Sequence, residues 1–194
     1  KASAGKVFSR EWFPIVDSIP LPIIDSVRFW DFAATEKKRK KGAATASVKM
    51  GKMSDGRYII LDVTEDFIGP SEVDNWAAAI ARQDGRAVRQ RWEEEGGSSG
   101  KRTTSSLAVL MAGLDCWGVR PTGDKLDRSR PLSAQARAGN VLLLRASWNE
   151  RFLSHMHNVP DGRFDIHDSA AGSFNELNGV VIQYGASPLD NYRG

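Results

Sequence analysis

The hydrophobic period of this chain changes just after Val63, from the alternation of strands to the spacing of helices. Upstream of it, Val27-Arg28-Phe29-Trp30-Asp31-Phe32, Ala46 to Met50 and Tyr58-Ile59-Ile60-Leu61-Asp62-Val63 read as three extended segments. Ser54-Asp55-Gly56 marks a hairpin, because an Asp-Gly pair supplies the positive-φ residues that a tight turn needs. Strands joined by short loops are antiparallel neighbours. Downstream, Ser71 to Gln83 carries Val73, Trp76, Ala77 and Ile80 at helical spacing and is closed by Asp84-Gly85. Thr104 to Leu114 repeats the pattern with Leu107, Leu110, Met111 and Leu114. Between and after these helices, Ala87 to Glu93, Cys116 to Val119 and Val141 to Leu144 read as extended. Ser133 to Arg137, Asn149 to His157 and about Asp168 to Leu177 read as helical.

Strands that alternate with helices place the fourth and fifth parallel to each other and to one of the first three. The expected fold is therefore α/β: three antiparallel strands, then alternating helices and parallel strands in one mixed central sheet. That is the element order of the ribonuclease H-like fold. A length of 194 residues suits one domain spanning 1–194, with residues 1–25 leading into it. A 41% hydrophobic share with six Trp and eight Phe can fill its core. No apolar run approaches the roughly 18–20 residues of a membrane span, and Lys1 to Lys6 lacks the apolar stretch of a signal peptide. A lone Cys116 excludes an internal disulfide and a cysteine-built zinc site, and fits a reducing compartment. A net charge of +3 permits a nucleic-acid partner without requiring one. The start at Lys1 rather than Met reads as that of an excised domain.

Three acidic groups stand out. Asp31 sits within an otherwise apolar, aromatic strand, where an unpaired buried carboxylate is costly. Glu93-Glu94-Glu95 closes the fourth strand, and alternation places Glu93 and Glu95 on one face and Glu94 on the other. Asp165-Ile166-His167-Asp168 begins the last helix, and residues three apart share a helix face. Each also has an ordinary explanation, as a solvated strand end or a favourable charge at a helix N-terminus. Together, acids on the first strand, the fourth strand and a late helix match what a two-metal site on this fold requires. Hard Mg²⁺ or Mn²⁺ ions take oxygen ligands, and two of them about 3.5–4 Å apart clamp both sides of a phosphodiester.

Gly96-Gly97-Ser98-Ser99-Gly100-Lys101-Arg102-Thr103 imitates a phosphate-binding P-loop and fails as one. The outer glycines, Gly96 and Gly100, enclose three residues instead of four, and Arg102 stands where Ser or Thr should follow Lys101. It reads instead as a flexible basic loop beside an acidic strand end. His155, His157 and His167 form no zinc pattern. His167 lies between the two aspartates and could assist there, although a surface position is the commoner case for such a residue.

Several segments resemble, in order and across nearly the whole chain, the C-terminal nuclease domain of the large terminase subunit of tailed bacteriophages and prophages. Phe8-Ser9-Arg10-Glu11-Trp12-Phe13 resembles the segment leading into that domain. Arg28-Phe29-Trp30-Asp31-Phe32-Ala33-Ala34-Thr35 is similar to its first catalytic strand. Glu93 to Lys101 resembles the second acidic motif. Gly123-Asp124-Lys125-Leu126-Asp127-Arg128-Ser129-Arg130-Pro131 and Ala138-Gly139-Asn140-Val141 are similar to later segments. Asp165 to Leu177, with Gly172-Ser173-Phe174-Asn175, resembles the final motif. That motif usually has two adjacent aspartates followed three residues later by Asp-Ala. Here Ile166 interrupts the pair and Ser169 replaces the alanine, so the third ligand is Asp165 or Asp168.

The resemblance implies a metal-dependent endonuclease that cuts concatemeric double-stranded viral DNA during packaging, in the host bacterial cytoplasm at the procapsid portal vertex. Its partners would be double-stranded DNA, a small terminase subunit, the portal protein and an N-terminal ATPase domain outside this sequence. The implied catalytic and metal residues are Asp31, Glu93, Asp165 and Asp168, with Glu95 in reserve, binding Mg²⁺ or Mn²⁺. Lys101 and Arg102 in the loop after the second acidic motif, and Lys125, Arg128 and Arg130 in the loop before the third, are the expected DNA contacts. Lys37 to Lys41 reads as a solvated charge run. Other readings are a resolvase or integrase core using the same acids, a DNA-binding or docking module of the packaging motor with a weak or lost site, and a plain structural domain.

Overall fold

The Asp55-Gly56 turn closes as expected in the computed structural model, which describes residues 7–33, 44–69, 71–94, 96, 98–120 and 122–179. Gly56 takes φ +88°, and Met53 and Arg57 pair across the turn through a 2.8 Å backbone bond. Around it the three expected strands form as nine-residue elements after a two-residue strand, β1 (Ile15–Val16): β2 (Ile23–Asp31), β3 (Thr45–Met53) and β4 (Tyr58–Asp66). The segment read from Ala46 to Met50 as a weak strand is thus the middle of a full one. Its small residues Ala46, Ser47 and Gly51 contribute little to strand propensity. Pairing on both sides holds it in place.

The remaining elements alternate: α1 (Val73–Asp84), β5 (Arg89–Glu93), α2 (Ser98–Leu110), β6 (Cys116–Val119), α3 (Lys125–Arg137), β7 (Val141–Leu144), α4 (Asn149–His157) and α5 (Asp165–Leu177). One seven-stranded sheet has the order β1-β7-β4-β3-β2-β5-β6. β2–β3 and β3–β4 are antiparallel. β5 runs parallel to both β2 and β6, as the alternation required. β7 inserts parallel to β4 and is itself capped by the parallel β1.

Helices cover both faces. On one, Phe152 and Met156 of α4, Leu132 and Ala136 of α3, and Ile166, Ala170 and Phe174 of α5 pack on Val27, Val48, Ile60 and Leu143. On the other, Ala77 and Ala81 of α1, Leu107 of α2 and Met111 just after it enclose Trp30 and Trp92. Full burial of a large apolar side chain contributes about 1.5–3 kcal/mol, so these two layers carry most of the stability. Beneath α1 lies an ionic cluster. Arg28 donates to Asp84 at 2.6 and 3.0 Å, to Asp62 at 2.8 Å and to Ser47 Oγ at 2.9 Å. Lys49 and Gln90 also donate to Asp84, at 2.9 and 3.0 Å.

Two expected loops are helical instead. The Gly-Ser stretch enters α2 at Ser98, so Lys101 and Arg102 stand on its first turns. The segment around Lys125, Arg128 and Arg130 is the first half of α3, capped by Asp124, whose side chain accepts from the Leu126 N–H at 2.8 Å. Pro131 lies inside α3, where a proline ordinarily costs about 3 kcal/mol. Burial of Ser129, Leu132 and Ala136 against α5 and the sheet offsets that cost.

Candidate functional site

Side chains alternate along β2. Arg28 and Trp30 face α1, while Phe29 and the last residue, Asp31, face α5. In the parallel neighbour β5, Trp92 pairs with Trp30, so Glu93 ends its strand beside Asp31 at the same edge of the sheet. α5 crosses this edge closely because small residues line it. Ser169 Oγ donates to Ala46 O at 3.3 Å, Ser173 Oγ donates to Val48 O at 2.7 Å, and a Cβ on Gly172 would stand 2.5 Å from the Phe29 ring. The first turn of α5 thereby brings Asp168 to Asp31 and Glu93.

The electrostatics follow from this convergence. Burial, and then the negative charges of Asp168, Glu93 and Asp165, push the Asp31 carboxyl well above the usual range, against the opposing effect of Lys125. Burial acts to raise Asp168 too, yet hydrogen bonds from His167 and Lys125 leave it below the ordinary value. Burial acts to lower Lys125, but its bond to Asp168 and the charges of Asp31 and Glu93 raise it. Lys125 Nζ binds Asp168 Oδ2, and Arg128 lies 3.6 Å from Glu93. A cleft lined by Phe29, Glu93, Lys125, Arg128, Asp168 and Asn175 opens onto the group.

His167 is fully buried, not on the surface. Phe8 and Phe164 pack edge-on against its ring at centroid distances of 5.8 and 5.4 Å. Its Nδ1 lies 3.1 Å from Asp168 Oδ1 and, facing a carboxylate, carries the proton. The histidine therefore orients Asp168.

The four expected carboxylates are not equivalent. Asp165 turns to Arg163, whose Nε and Nη2 donate to it at 3.1 and 2.8 Å. Glu94 pairs with Arg120 at 3.1 Å. Glu95 and Lys37 to Lys41 fall outside the described residues. Among the expected cations, Lys125 and Arg128 stand within the carboxylate group, Arg130 is exposed and paired with Asp127 at 2.8 Å, and Lys101 is exposed on α2. Glu65, at the end of β4, was not singled out from the sequence. It gathers Arg163, Arg151 and His155 at 3.1, 3.9 and 3.5 Å. Its signal was available only in the register, where Asp31 pairs with Ala46 and Ala46 with Glu65.

Asp31, Glu93 and Asp168 offer oxygen donors from three elements, a set suited to hard divalent cations. The Asp31 carboxylate takes no side-chain hydrogen bond or ion pair among the described residues, while the cationic Lys125 holds a second member of the set. The residues therefore fit such an ion. As they stand, no three His, Cys, Asp or Glu among the described residues are grouped as a metal site.

A ribonuclease H-like sheet with acids gathered at the carboxyl ends of adjacent parallel strands defines the class of protein. The family model described as Terminase RNaseH-like domain matches residues 28–171, and the chain belongs to that family. Solved structures share the fold. The human cytomegalovirus terminase nuclease domain, soaked with manganese and inhibitor-bound, has a TM-score of 0.64 at 11% identity, covering 88% of this chain and 94% of that one. The large terminase nuclease of thermophilic phage G20c with bound magnesium has 0.62 at 11%, covering 90% and 98%. The HK97 bacteriophage large terminase has 0.59 at 13%, covering 88% of this chain but 43% of that one. No curated protein matches the sequence. No helix among the described residues is long and apolar enough to cross a membrane.

Proposed function

We propose that this chain is a divalent-metal-dependent endodeoxyribonuclease that cuts double-stranded DNA during viral genome packaging. The observation that carries the reading is the meeting of Asp31, Glu93 and Asp168 at one sheet edge, with the half-buried Asp31 carboxyl facing like charges. Asp31, Glu93 and Asp168 would hold the ions, with Asp165 next to them but engaged by Arg163. A pair of Mg²⁺ or Mn²⁺ ions so held would supply an activated water and a counter-charge for the leaving oxygen. The phage G20c and cytomegalovirus nuclease structures, described with magnesium and manganese, support that choice of ion.

The chain's own residues do the rest. His167 fixes the orientation of Asp168. Lys125 and Arg128 stand at the mouth of the cleft, where charge on a phosphodiester develops as it is attacked. The buried wall of Phe29 and Ala171 excludes water from one side. Sequence preference is weak in this reading, because the cations near the site are suited to phosphates and carry no base-reading geometry. In the full packaging machine the partners are an ATPase domain, a small terminase subunit and the portal, and the place of action is the portal vertex of the procapsid in the host bacterial cytoplasm. Plasmid cleavage that requires Mg²⁺ or Mn²⁺ and vanishes in Asp168→Asn supports the proposal. DNA binding without cleavage under every metal condition favours a docking module instead.

A further inference from the structure

Glu65 is nine-tenths buried, and three cationic side chains converge on it: Arg151 and His155 from one face of α4, and Arg163 from the turn before α5. The register places this cluster in the same row as the acidic site, since Asp31, Ala46 and Glu65 are paired across β2, β3 and β4. Paired residues project from the same side of a sheet, and two strand spacings separate Asp31 from Glu65 by about 10 Å. Arg163 links the two, because it also donates to Asp165. Both arginines remain about two-fifths exposed, at 43% and 41% of the side chain. The contacts use Nε of Arg151 and Nε and Nη2 of Arg163. Phe67, 63% exposed, lies 5.1 Å from the Arg163 guanidinium.

A buried carboxylate that fans arginines outward beside an exposed aromatic ring is an arrangement suited to a nucleic-acid backbone. The guanidinium groups are held in place and meet phosphate with little loss of freedom, while the ring packs on sugar or base. On the opposite flank stand Arg120, Lys125 and Arg128. From β4 to β6 is four strand spacings, about 19 Å, which is about the breadth of one duplex. We infer that Arg151, Arg163 and Phe67 form a second rim of the DNA-binding surface, so that the duplex lies across the carboxyl ends of β4, β2, β5 and β6 and the amino end of β3, with the acids beneath its middle. This rests on the nuclease reading and adds the flank that the expected contacts Lys101, Arg102, Lys125, Arg128 and Arg130 do not supply.

The test is fluorescence anisotropy with a labelled blunt duplex of arbitrary sequence, in EDTA so that no cleavage occurs, across a salt series. Arg151→Gln/Arg163→Gln is expected to bind about tenfold more weakly and to flatten the log–log salt dependence by one to two phosphate contacts, roughly 1–2 in slope. Arg57→Ala, at the hairpin on the far end of the sheet, is expected to match the wild type. Since removing the arginines takes two of its three cationic partners from Glu65 and costs folding stability, Glu65→Gln is the decisive companion. Removing the negative charge beside both guanidinium groups, while Asp165 still holds Arg163, is expected to tighten binding a few-fold, a direction that structural damage does not produce. Wild-type binding with the arginine variant and Glu65→Gln unchanged overturns this rim alone. Absence of binding by every form, wild type included, overturns the DNA reading and the rim with it.

Discussion

Lys125 holds Asp168 through a direct ammonium–carboxylate hydrogen bond from the first residue of α3 to the first turn of α5. The lysine thus places a positive charge among three acids that otherwise repel one another. A cation arriving at those acids must displace or share that position. Unit charges about 4 Å apart interact by about 4 kcal/mol at an effective dielectric constant near 20, so the competition is substantial.

Lys125→Met is therefore expected to bind Mn²⁺ at least about tenfold more tightly, which needs only about 1.4 kcal/mol of that interaction. Calorimetric titration measures the affinity. Melting in EDTA is expected to fall for the variant, and the gain in melting temperature on adding Mn²⁺ to grow. Equal affinity in the two proteins contradicts the placement of Lys125.

Asp168 and Asp165 separate by partner. Asp168 is oriented by His167 and faces Asp31 and Glu93, whereas Asp165 is bound by Arg163. Asp168→Asn is expected to lower cleavage at least about a hundredfold, on the scale of losing one electrostatic group at a reacting centre. Asp165→Asn is expected to cost less than about tenfold, acting only through Arg163 and the local field. Parallel single-turnover rates decide the matter, and equal losses contradict the assignment.

Gly172 sets how closely α5 approaches β2, because a Cβ there overlaps the Phe29 ring. Gly172→Ala is expected to destabilise by about 1–3 kcal/mol as an overpacked contact and to lower cleavage by shifting Asp168. Adding Phe29→Leu is expected to restore part of both. A double-mutant cycle in urea and the cleavage rates test the coupling. Strictly additive effects contradict it.

Burial acts to raise Asp84, but hydrogen bonds and charges from Arg28, Lys49 and Gln90 leave it below its ordinary value. A folded-state value below the unfolded value of about 3.9 means stability that is present above that pH and lost as pH falls through the folded value. The wild type is expected to lose stability below about pH 4, and Asp84→Asn to show a flatter curve there. Asp84→Asn is also expected to be less stable by about 3–5 kcal/mol at neutral pH, since it strips Arg28 of its buried partner. Urea midpoints from pH 3 to 7 measure both.

These relationships differ in how far the sequence reveals them. The hairpin at Asp55-Gly56, the helical spacing of Val73 to Ile80 and the alternation after Val63 are local patterns, and the parallel pairing of β5 with β2 and β6 follows from them. Asp31 and Glu93 were legible because a charge at the end of an apolar strand is conspicuous. The first half of α3 was not, although Ser133 to Arg137 read as helical, because Lys125 to Pro131 lacks apolar periodicity and contains a proline, and that half is held by tertiary burial of Ser129 and Leu132. β1 is two residues long and exists only as the edge partner of β7. The choice between Asp165 and Asp168 depended on Arg163, His167 and Lys125, whose positions are fixed by three separate elements. Glu65 carried no local signal at all, since its meaning lies in a register that spans three strands.

Cutting of supercoiled plasmid with Mn²⁺, beside an EDTA control and Asp31→Asn, decides whether the acids at this sheet edge form a metal-dependent nuclease site. Asp31 is chosen because its half-buried carboxyl faces the negative charges of Asp168, Glu93 and Asp165. With Asp31 in a metal-dependent site, the wild type nicks or linearises the plasmid, and that cutting is lost both in EDTA and in a folded Asp31→Asn protein. Cutting that survives Asp31→Asn contradicts that placement.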